Sequence, residues 1–239
     1  MTINRVQPNG IHHLAFSTGD VKRQIAFFTD VLGAELKALY WIHLAGLKDA
    51  ERCWHAFLKL NDNCYLAFVE GPSYKAIEPI PGVSHALNAA TSSAPGTVGH
   101  VALNCASEKD LLALRDRIRS RGILCLGPLD HGFCKSIYFG GPEGLNLEIS
   151  TSERPIDARA WIDPEVVKLA GISSDELKSF MEPAHFENPG APIAQPKFDP
   201  EKPHPKWSKE RMDSVLNSSD DEVTASLSIT APPVNVASP

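Results

Sequence analysis

Two stretches of the chain share one order of hydrophobic and polar positions. Residues 10–16 (GIHHLAF) and 98–103 (VGHVAL) contain short apolar runs typical of β-strands, and each run begins at a histidine. Apolar residues then recur every three or four positions at 21–32 and at 108–121, which predicts an amphipathic helix in each place. A glycine directly follows each predicted helix. The pattern therefore predicts an internal repeat.

Each half of the repeat ends in a predicted β-hairpin. Residues 53–60 and 64–69 flank the turn sequence NDN, and residues 136–139 and 145–150 flank the turn sequence GGPEG. The order of elements is strand, helix and three strands, twice. We therefore predict an α+β fold of two βαβββ modules that form a curved mixed sheet around one cavity.

Composition divides the chain into three predicted parts, at 1–151, 152–182 and 183–239. The first part holds the two modules, at about 10–71 and 97–151. Prolines recur after residue 152, where we expect a short helical arm with a Ser-x-x-Glu cap at 173–176. The last part is rich in Pro, Ser and Asp, and it cannot bury enough apolar surface to offset the entropy of ordering. We expect that tail to be largely disordered.

Charge and cysteine content narrow the class of protein. The formal net charge is -6 with both signs mixed along the chain, which argues against a nucleic-acid partner. No run of eighteen apolar residues occurs, so we expect neither a membrane span nor export. The five cysteines are odd in number and never form a Cys-x-x-Cys pair. A reducing, cytoplasmic location fits this usage best.

Three residues are the candidate metal ligands: His13, His100 and Glu148. The two histidines open equivalent strands of the repeat, and Glu148 lies in an apolar run where an unpaired carboxylate would be unfavourable to bury. Aligning the two hairpins places Glu148 opposite Ala67 and Tyr138 opposite Phe57. We expect the pseudo-symmetry of the modules to bring the three ligands together.

At these residues the chain resembles the vicinal oxygen chelate superfamily, which includes glyoxalases, epimerases, fosfomycin-resistance enzymes and extradiol dioxygenases. The likeness covers about residues 10–151. In that superfamily a histidine opens the first strand of each module and a glutamate lies in the last strand, which matches His13, His100 and Glu148. A further ligand often comes from the position where this chain has Ala67. The resemblance thus implies a site with three ligands.

Residues 131–148 are similar to the C-terminal signature of catechol-type extradiol dioxygenases. That signature has a His-Gly pair, then a Tyr ten places before the glutamate ligand, which correspond here to His131 and Tyr138. The resemblance implies that both assist catalysis beside non-haem Fe(II), with O2 and a small catechol-like molecule as substrates. Two histidines and a carboxylate also suit Mn(II), Zn(II) or another divalent metal.

The chain departs from the dioxygenase pattern at the residue that moves protons. Extradiol enzymes place an acid-base histidine where this chain has Cys64, or Asn63 if the register slips by one. His55 on the neighbouring strand and His85 in the loop at 71–97 are the candidates to replace it. We list His85 with Tyr138 and His131 as candidate catalytic residues.

Two alternative functions stay open. The first is a glyoxalase-like or epimerase-like lyase or isomerase, in which a divalent metal activates a carbonyl group. The second is a small-molecule-binding module without catalysis, although such relatives generally lack the ligand triad. The oligomeric state also stays open, although paired-module proteins of this kind often form a homodimer. Glu70 and Glu143 end hairpins, and we expect both to be solvated.

Overall fold

The computed structural model describes residues 7–42, 51–86, 88, 90–186 and 189–234. Its first module has the predicted order of one strand, one helix and three strands. The helix is followed by one wider turn of π type, Phe28–Leu32, so the predicted helix at 21–32 is present in two parts. The elements are β1 (His13–Ser17), α1 (Val21–Phe27), β2 (Glu35–Ile42), β3 (Cys53–Asn61) and β4 (Cys64–Glu70).

The second module repeats this order. Its elements are β5 (Val101–Asn104), α2 (Glu108–Ser120), β6 (Cys125–Asp130), β7 (Lys135–Gly140) and β8 (Asn146–Thr151). The strand orders are β1-β4-β3-β2 and β5-β8-β7-β6. In each sheet the first strand is parallel to the last, and the other neighbours are antiparallel. The predicted α+β fold of two βαβββ modules is confirmed, with a separate four-stranded mixed sheet in each module.

Local sequence signals set the ends of both helices. Asp20 and Ser107 are the N-caps of α1 and α2, and each side chain accepts a hydrogen bond from the backbone N–H three residues further on. Gly33 follows the π turn with φ 76°, and Gly122 follows α2 with φ 73°. Glycine adopts this left-handed conformation without a steric penalty, so each helix stops where the sequence predicts.

Each sheet has one face covered by its helix and one face that we call the open face. Side chains alternate between the faces along a strand. Leu66 and Phe68 of β4 and Leu147 and Ile149 of β8 are buried on the helix side, and the helix-side residues of both modules join in one hydrophobic core. The open faces of the two sheets therefore lie outside this core.

The two modules contact each other through their helical layers. Arg117 of α2 donates a hydrogen bond to the carbonyl oxygen of Asp30 in the π turn, at 2.8 Å. Arg121 forms an ion pair with the Asp30 carboxylate, at 2.9 Å. The helix layers thus hold the two modules together by contacts between residues far apart in sequence.

The turn between β7 and β8 adds a second link between the modules. The Glu143 carboxylate accepts hydrogen bonds from the Thr18 hydroxyl at 2.7 Å, the Gly19 N–H at 2.8 Å and the Gln24 side-chain amide at 2.8 Å. Glu143 also has φ 54°, a conformation that is uncommon outside glycine. We expected a solvated hairpin end here; Glu143 is exposed, but its carboxylate is tied to the other module.

Glu70, at the end of β4, is buried, so the prediction that it is solvated was wrong. Its side-chain oxygen accepts a hydrogen bond from the Val21 N–H in the first turn of α1, at 2.7 Å. The other oxygen forms an ion pair with Lys75 at 2.7 Å. Because the first N–H groups of a helix lack partners within the helix, a buried carboxylate is stabilised at that position.

The described residues of the C-terminal extension form five short helices. They are α3 (Ala158–Trp161), α4 (Pro164–Leu169), α5 (Ser174–Met181), α6 (Lys209–Leu216) and α7 (Asp220–Leu227). The capping box predicted at Ser173 and Glu176 is present at the start of α5. The structure places α6 and α7 inside the predicted disordered tail, each with a serine N-cap and neither with a buried residue. None of the described helices is both long and apolar enough to cross a membrane.

Candidate metal centre and cavity

His100 and Glu148 lie together on the open face of the second sheet. Glu148 is in β8 and pairs in register with Ala102 of the parallel neighbour β5, which begins one residue after His100. This arrangement places His100 Nε2 2.9 Å from Glu148 Oε2. The Glu148 side chain is only 6% exposed, whereas that of His100 is 40% exposed. Two of the three predicted ligands are therefore adjacent in one chain.

Three hydroxyl groups keep the Glu148 carboxyl group ionised. Burial alone would raise its pKa, because the charged form loses hydration. Hydrogen bonds from the hydroxyls of Ser136, Ser150 and Tyr138, and the nearby His100, outweigh that effect and lower the pKa below its usual value. Ser150 Oγ lies 2.5 Å from Glu148 Oε1, and Ser136 Oγ lies 2.9 Å from Ser150 Oγ.

The two serines were not among the predicted site residues. A signal for them exists, since Ser150 follows Glu148 by two positions and a period of two places both on one face of the strand. Ser136 is the cross-strand partner of Ser150. Because a buried carboxylate needs hydrogen-bond donors, hydroxyl residues at alternate positions of the same and the neighbouring strand are the sequence signal for this pair.

Tyr138 and His131, two of the three predicted catalytic residues, contact each other. Tyr138 is the cross-strand partner of Glu148, and its hydroxyl lies 2.9 Å from Nε2 of His131. Burial and the neighbouring Glu148 carboxylate raise the pKa of Tyr138, so the phenol keeps its proton at neutral pH. The direction of the hydrogen bond between Tyr138 and His131 follows the tautomer of the imidazole ring.

These residues border a cavity of about 670 Å³ on the open face of the second sheet. His100, His131 and Tyr138 form a polar side, and Leu126 and Leu129 of β6 form an apolar side. Such a combination, an apolar wall with a few convergent polar groups, is typical of a small-molecule site.

His13 lies on the open face of the first sheet, away from this cavity. It is exposed, its Nδ1 is 2.9 Å from Nδ1 of His12, and its ring packs beside Phe57 with centroids 5.4 Å apart. Among the residues that the structure describes, no group of three or more His, Cys, Asp or Glu side chains could hold a metal. One chain thus brings His100 and Glu148 together without His13.

The first sheet lacks a carboxylate at the position equivalent to Glu148. Ala67 is there, as the hairpin alignment predicts, and it is completely buried beside its cross-strand partner Phe57. Phe57 in turn matches Tyr138, which pairs with Glu148 in the same way. The two modules therefore share the same cross-strand pairing, but only the second module places a carboxylate and a hydroxyl group there.

The two histidines considered as proton carriers have different surroundings. His55 lies on the open face of the first sheet, 6.5 Å from His13 between ring centroids. Its Nε2 is buried with no hydrogen-bond partner among the described residues. Burial, and then the neighbouring His13, lowers the pKa of His55. His85 instead contacts the turn before β8, with Nε2 3.1 Å from the Glu143 carbonyl oxygen, and it does not line the cavity.

Comparisons with known proteins identify the family. The family model described as Glyoxalase/Bleomycin resistance protein/Dioxygenase superfamily matches residues 10–149. No curated protein matches the chain.

Among solved structures, similar chains cover about three fifths of this protein. A glyoxylase/bleomycin resistance protein/dioxygenase domain from Frankia sp. EAN1pec is 15% identical, with a TM-score of 0.45 over 62% of this chain and 100% of that chain. The fosfomycin resistance protein FosX from Listeria monocytogenes, complexed with Mn(II) and sulfate, is 18% identical, with a TM-score of 0.39 over 61% and 94%. TnmS3, an antibiotic binding protein from Streptomyces sp. CB03234, is 15% identical, with a TM-score of 0.38 over 64% and 99%.

Proposed function

The chain belongs to the glyoxalase/bleomycin resistance protein/dioxygenase superfamily, and on this basis we propose that it is a non-haem Fe(II)-dependent dioxygenase of the extradiol type. Its substrate would be a small molecule with two vicinal oxygens, such as a catechol. The observation that supports this choice over other activities in the superfamily is the chain of contacts from His131 through Tyr138 to Glu148. It places a phenol and an imidazole beside the carboxylate ligand.

The donor set fits a divalent metal. Glu148 is ionised and buried, and its oxygen lies 2.9 Å from Nε2 of His100, so both groups can direct a donor atom to one point. Together with His13 they would supply the two-histidine, one-carboxylate set that leaves coordination positions open. When bound, the metal supplies Lewis acidity and, if it is iron, redox chemistry with O2.

The remaining residues have roles that follow from their protonation and position. Tyr138 keeps its proton and can donate a hydrogen bond to negative charge that develops on a substrate oxygen. His131 can deliver a proton through the Tyr138 oxygen or hold that hydroxyl in place. Leu126 and Leu129 offer an apolar surface to the hydrocarbon part of the substrate, which excludes water from the reacting atoms.

We propose that a second copy of the chain supplies His13. The helix sides of both sheets are joined in one core, so their open faces are free to meet the open faces of another copy. In a two-fold dimer, the first sheet of each copy would cover the second sheet of the other, and two identical sites would form. The same pairing would bring His55, whose Nε2 has no hydrogen-bond partner in the described part of the chain, towards the cavity as the proton carrier.

A glyoxalase-like or epimerase-like isomerase is the second candidate, and His55 is the observation that favours it. Ala67 removes the carboxylate base of such enzymes, but a histidine with a lowered pKa is neutral at pH 7 and can accept a proton from carbon. Proton NMR in D2O with a panel of α-hydroxy carbonyl compounds tests this candidate. Deuterium entering at the carbon next to the carbonyl group would support it.

Oxygen uptake after anaerobic loading with Fe(II) tests the dioxygenase proposal. The metal content of the purified protein is measured first, and O2 consumption is then followed with a panel of catechols. We expect consumption with at least one catechol, and a loss of about 100-fold or more in His100→Ala. His185→Ala, which changes an exposed histidine of the tail, is the matched control. Tight zinc binding with no O2 consumption by any Fe(II)-loaded sample would overturn the proposal.

A further inference from the structure

We propose that Trp161, in the C-terminal extension, is a positioning residue for His131, an inference that rests on the proposed function. Trp161 is the last residue of α3 and lies beyond the part of the chain that matches the superfamily, 10–149. Its side chain nevertheless contacts the turn between β6 and β7, which carries His131. The extension would thereby act on the cavity without lining it.

Two contacts hold Trp161 against this turn. Its ring meets the Phe133 ring edge to face, with centroids 4.9 Å apart. It also covers Gly132 so closely that a Cβ added there would lie 2.6 Å from the indole ring. Gly132 has φ 82°, a second reason for glycine at this position. Any larger residue would push the indole ring away from the turn.

In the part of the chain that the structure describes, little else fixes this turn from outside. Within it, the His131 N–H donates to the Cys134 carbonyl oxygen at 2.9 Å, and the Gly132 N–H donates to the Asp130 carboxylate at 2.8 Å. His131 and Gly132 are both exposed, so core packing does not restrain them. The indole ring is therefore the main apolar contact that limits the movement of this backbone.

The position of the turn sets the position of the His131 ring. In the described part of the chain, the Tyr138 hydroxyl is the hydrogen-bond partner of that ring, at 2.9 Å. The hydrogen bond restrains one end of the side chain, and the backbone restrains the other. If Trp161 is truncated, the backbone end is released and the ring samples positions that do not reach Tyr138.

Hydrogen exchange and kinetics in the full-length protein test this proposal. The variants are Trp161→Ala and the conservative Trp161→Phe. The control is Trp207→Ala, since Trp207 is 46% exposed and Trp161 is 48% exposed, and Trp207 also lies in the extension. We expect amide exchange at 131–132 to be about 10-fold faster in Trp161→Ala, and to be nearly unchanged in Trp161→Phe and in the control.

For turnover, we expect kcat in Trp161→Ala to fall about 10-fold while KM changes less than about twofold, because a displaced proton donor affects the reaction more than binding. Trp161→Phe should restore most of the loss. Unchanged exchange at 131–132 in Trp161→Ala would overturn the proposal whatever the reaction is. Faster exchange with normal kcat, alongside a defect in His131→Ala, would also overturn it.

Nitrogen-15 NMR of the His131 ring gives a readout that needs no substrate. The ring nitrogens report the hydrogen bond to Tyr138, and we expect this signal to be lost in Trp161→Ala and kept in Trp161→Phe. If no catechol is consumed by the wild-type protein, the dioxygenase proposal fails, while this measurement still decides whether Trp161 positions His131. A His131 spectrum identical in all variants would contradict the positioning role.

Discussion

Tyr138 and Phe57 occupy equivalent positions in the two modules, and their side chains differ by one hydroxyl group. Phe57 pairs with a buried alanine, Ala67, whereas Tyr138 pairs with a buried carboxylate, Glu148. The hydroxyl is therefore present in the module where a buried charge requires donors. The sequence alone could place Tyr138 ten positions before Glu148. It could not show that the hydroxyl contacts both Glu148 and His131.

Replacing Tyr138 with phenylalanine separates the role of the hydroxyl from that of the ring. We expect turnover in Tyr138→Phe to fall about 100-fold, because one hydrogen-bond donor beside the reacting oxygen is lost. Metal content should be unchanged, and the free energy of unfolding should change by less than about 2 kcal/mol, since Phe57 shows that phenylalanine packs in this geometry. Oxygen uptake, metal analysis and urea unfolding measure the three quantities.

Tyr74→Phe is the control for that substitution, because Tyr74 lies in the 3-10 turn Tyr74–Ala76, outside both sheets. A Tyr138→Phe protein with full turnover would show that the phenol has no part in the reaction.

Among the elements, the turn between β7 and β8 illustrates the difference between local and long-range information. The GGPEG sequence correctly predicts a turn, and the hairpin around it is present. Its glutamate, Glu143, reaches three donors near the start of α1, each more than a hundred positions away. No local pattern identifies those partners, so a residue expected to be only solvated proves to join the modules.

Glu143→Gln tests this link between the modules. We expect the free energy of unfolding to fall by about 1–3 kcal/mol, because the buried Gln24 amide and the Gly19 N–H lose a charged acceptor. Urea unfolding at constant protein concentration measures the change. Glu165→Gln, on the exposed helix α4, is the matched control and should be nearly neutral. Equal stability of the two variants would mean that the Glu143 contacts contribute nothing to the folded state.

At the scale of the whole molecule, the predicted ligands are divided between the open faces of two sheets. His100 and Glu148 are adjacent on one, and His13 is exposed on the other. A shared site between two copies, as proposed above, makes each copy contribute half of both sites. With such a shared site, two chains that lack different ligands can complement each other.

Mixing His13→Ala with His100→Ala chains tests this arrangement. Each variant alone should lose tight metal binding and turnover. After joint refolding, half of the dimers would contain one chain of each variant, and each such mixed dimer would hold one intact site. We therefore expect about a quarter of wild-type activity and metal content. His100→Ala mixed with Glu148→Gln is the matched control without recovery, because both changes affect the same half-site. Mixed dimers without recovery in the first pair would contradict the shared site.

The sequence by itself determined the repeat, the two βαβββ modules, the helix ends and the register that aligns Glu148 with Ala67. These features depend on periodicity, capping residues and turn glycines, which act over a few positions. Only the tertiary structure decided which side chains meet across the strands and between the modules. The hydroxyls around Glu148, the contacts of Glu143 and the placement of Trp161 on the His131 turn depend on how the strands pair and how the modules pack. The sequence predicted that three ligands converge at the candidate site. One folded chain brings only two of them together. The reason is that the helix sides of both sheets pack into the shared core, so the open faces that carry the ligands lie outside it.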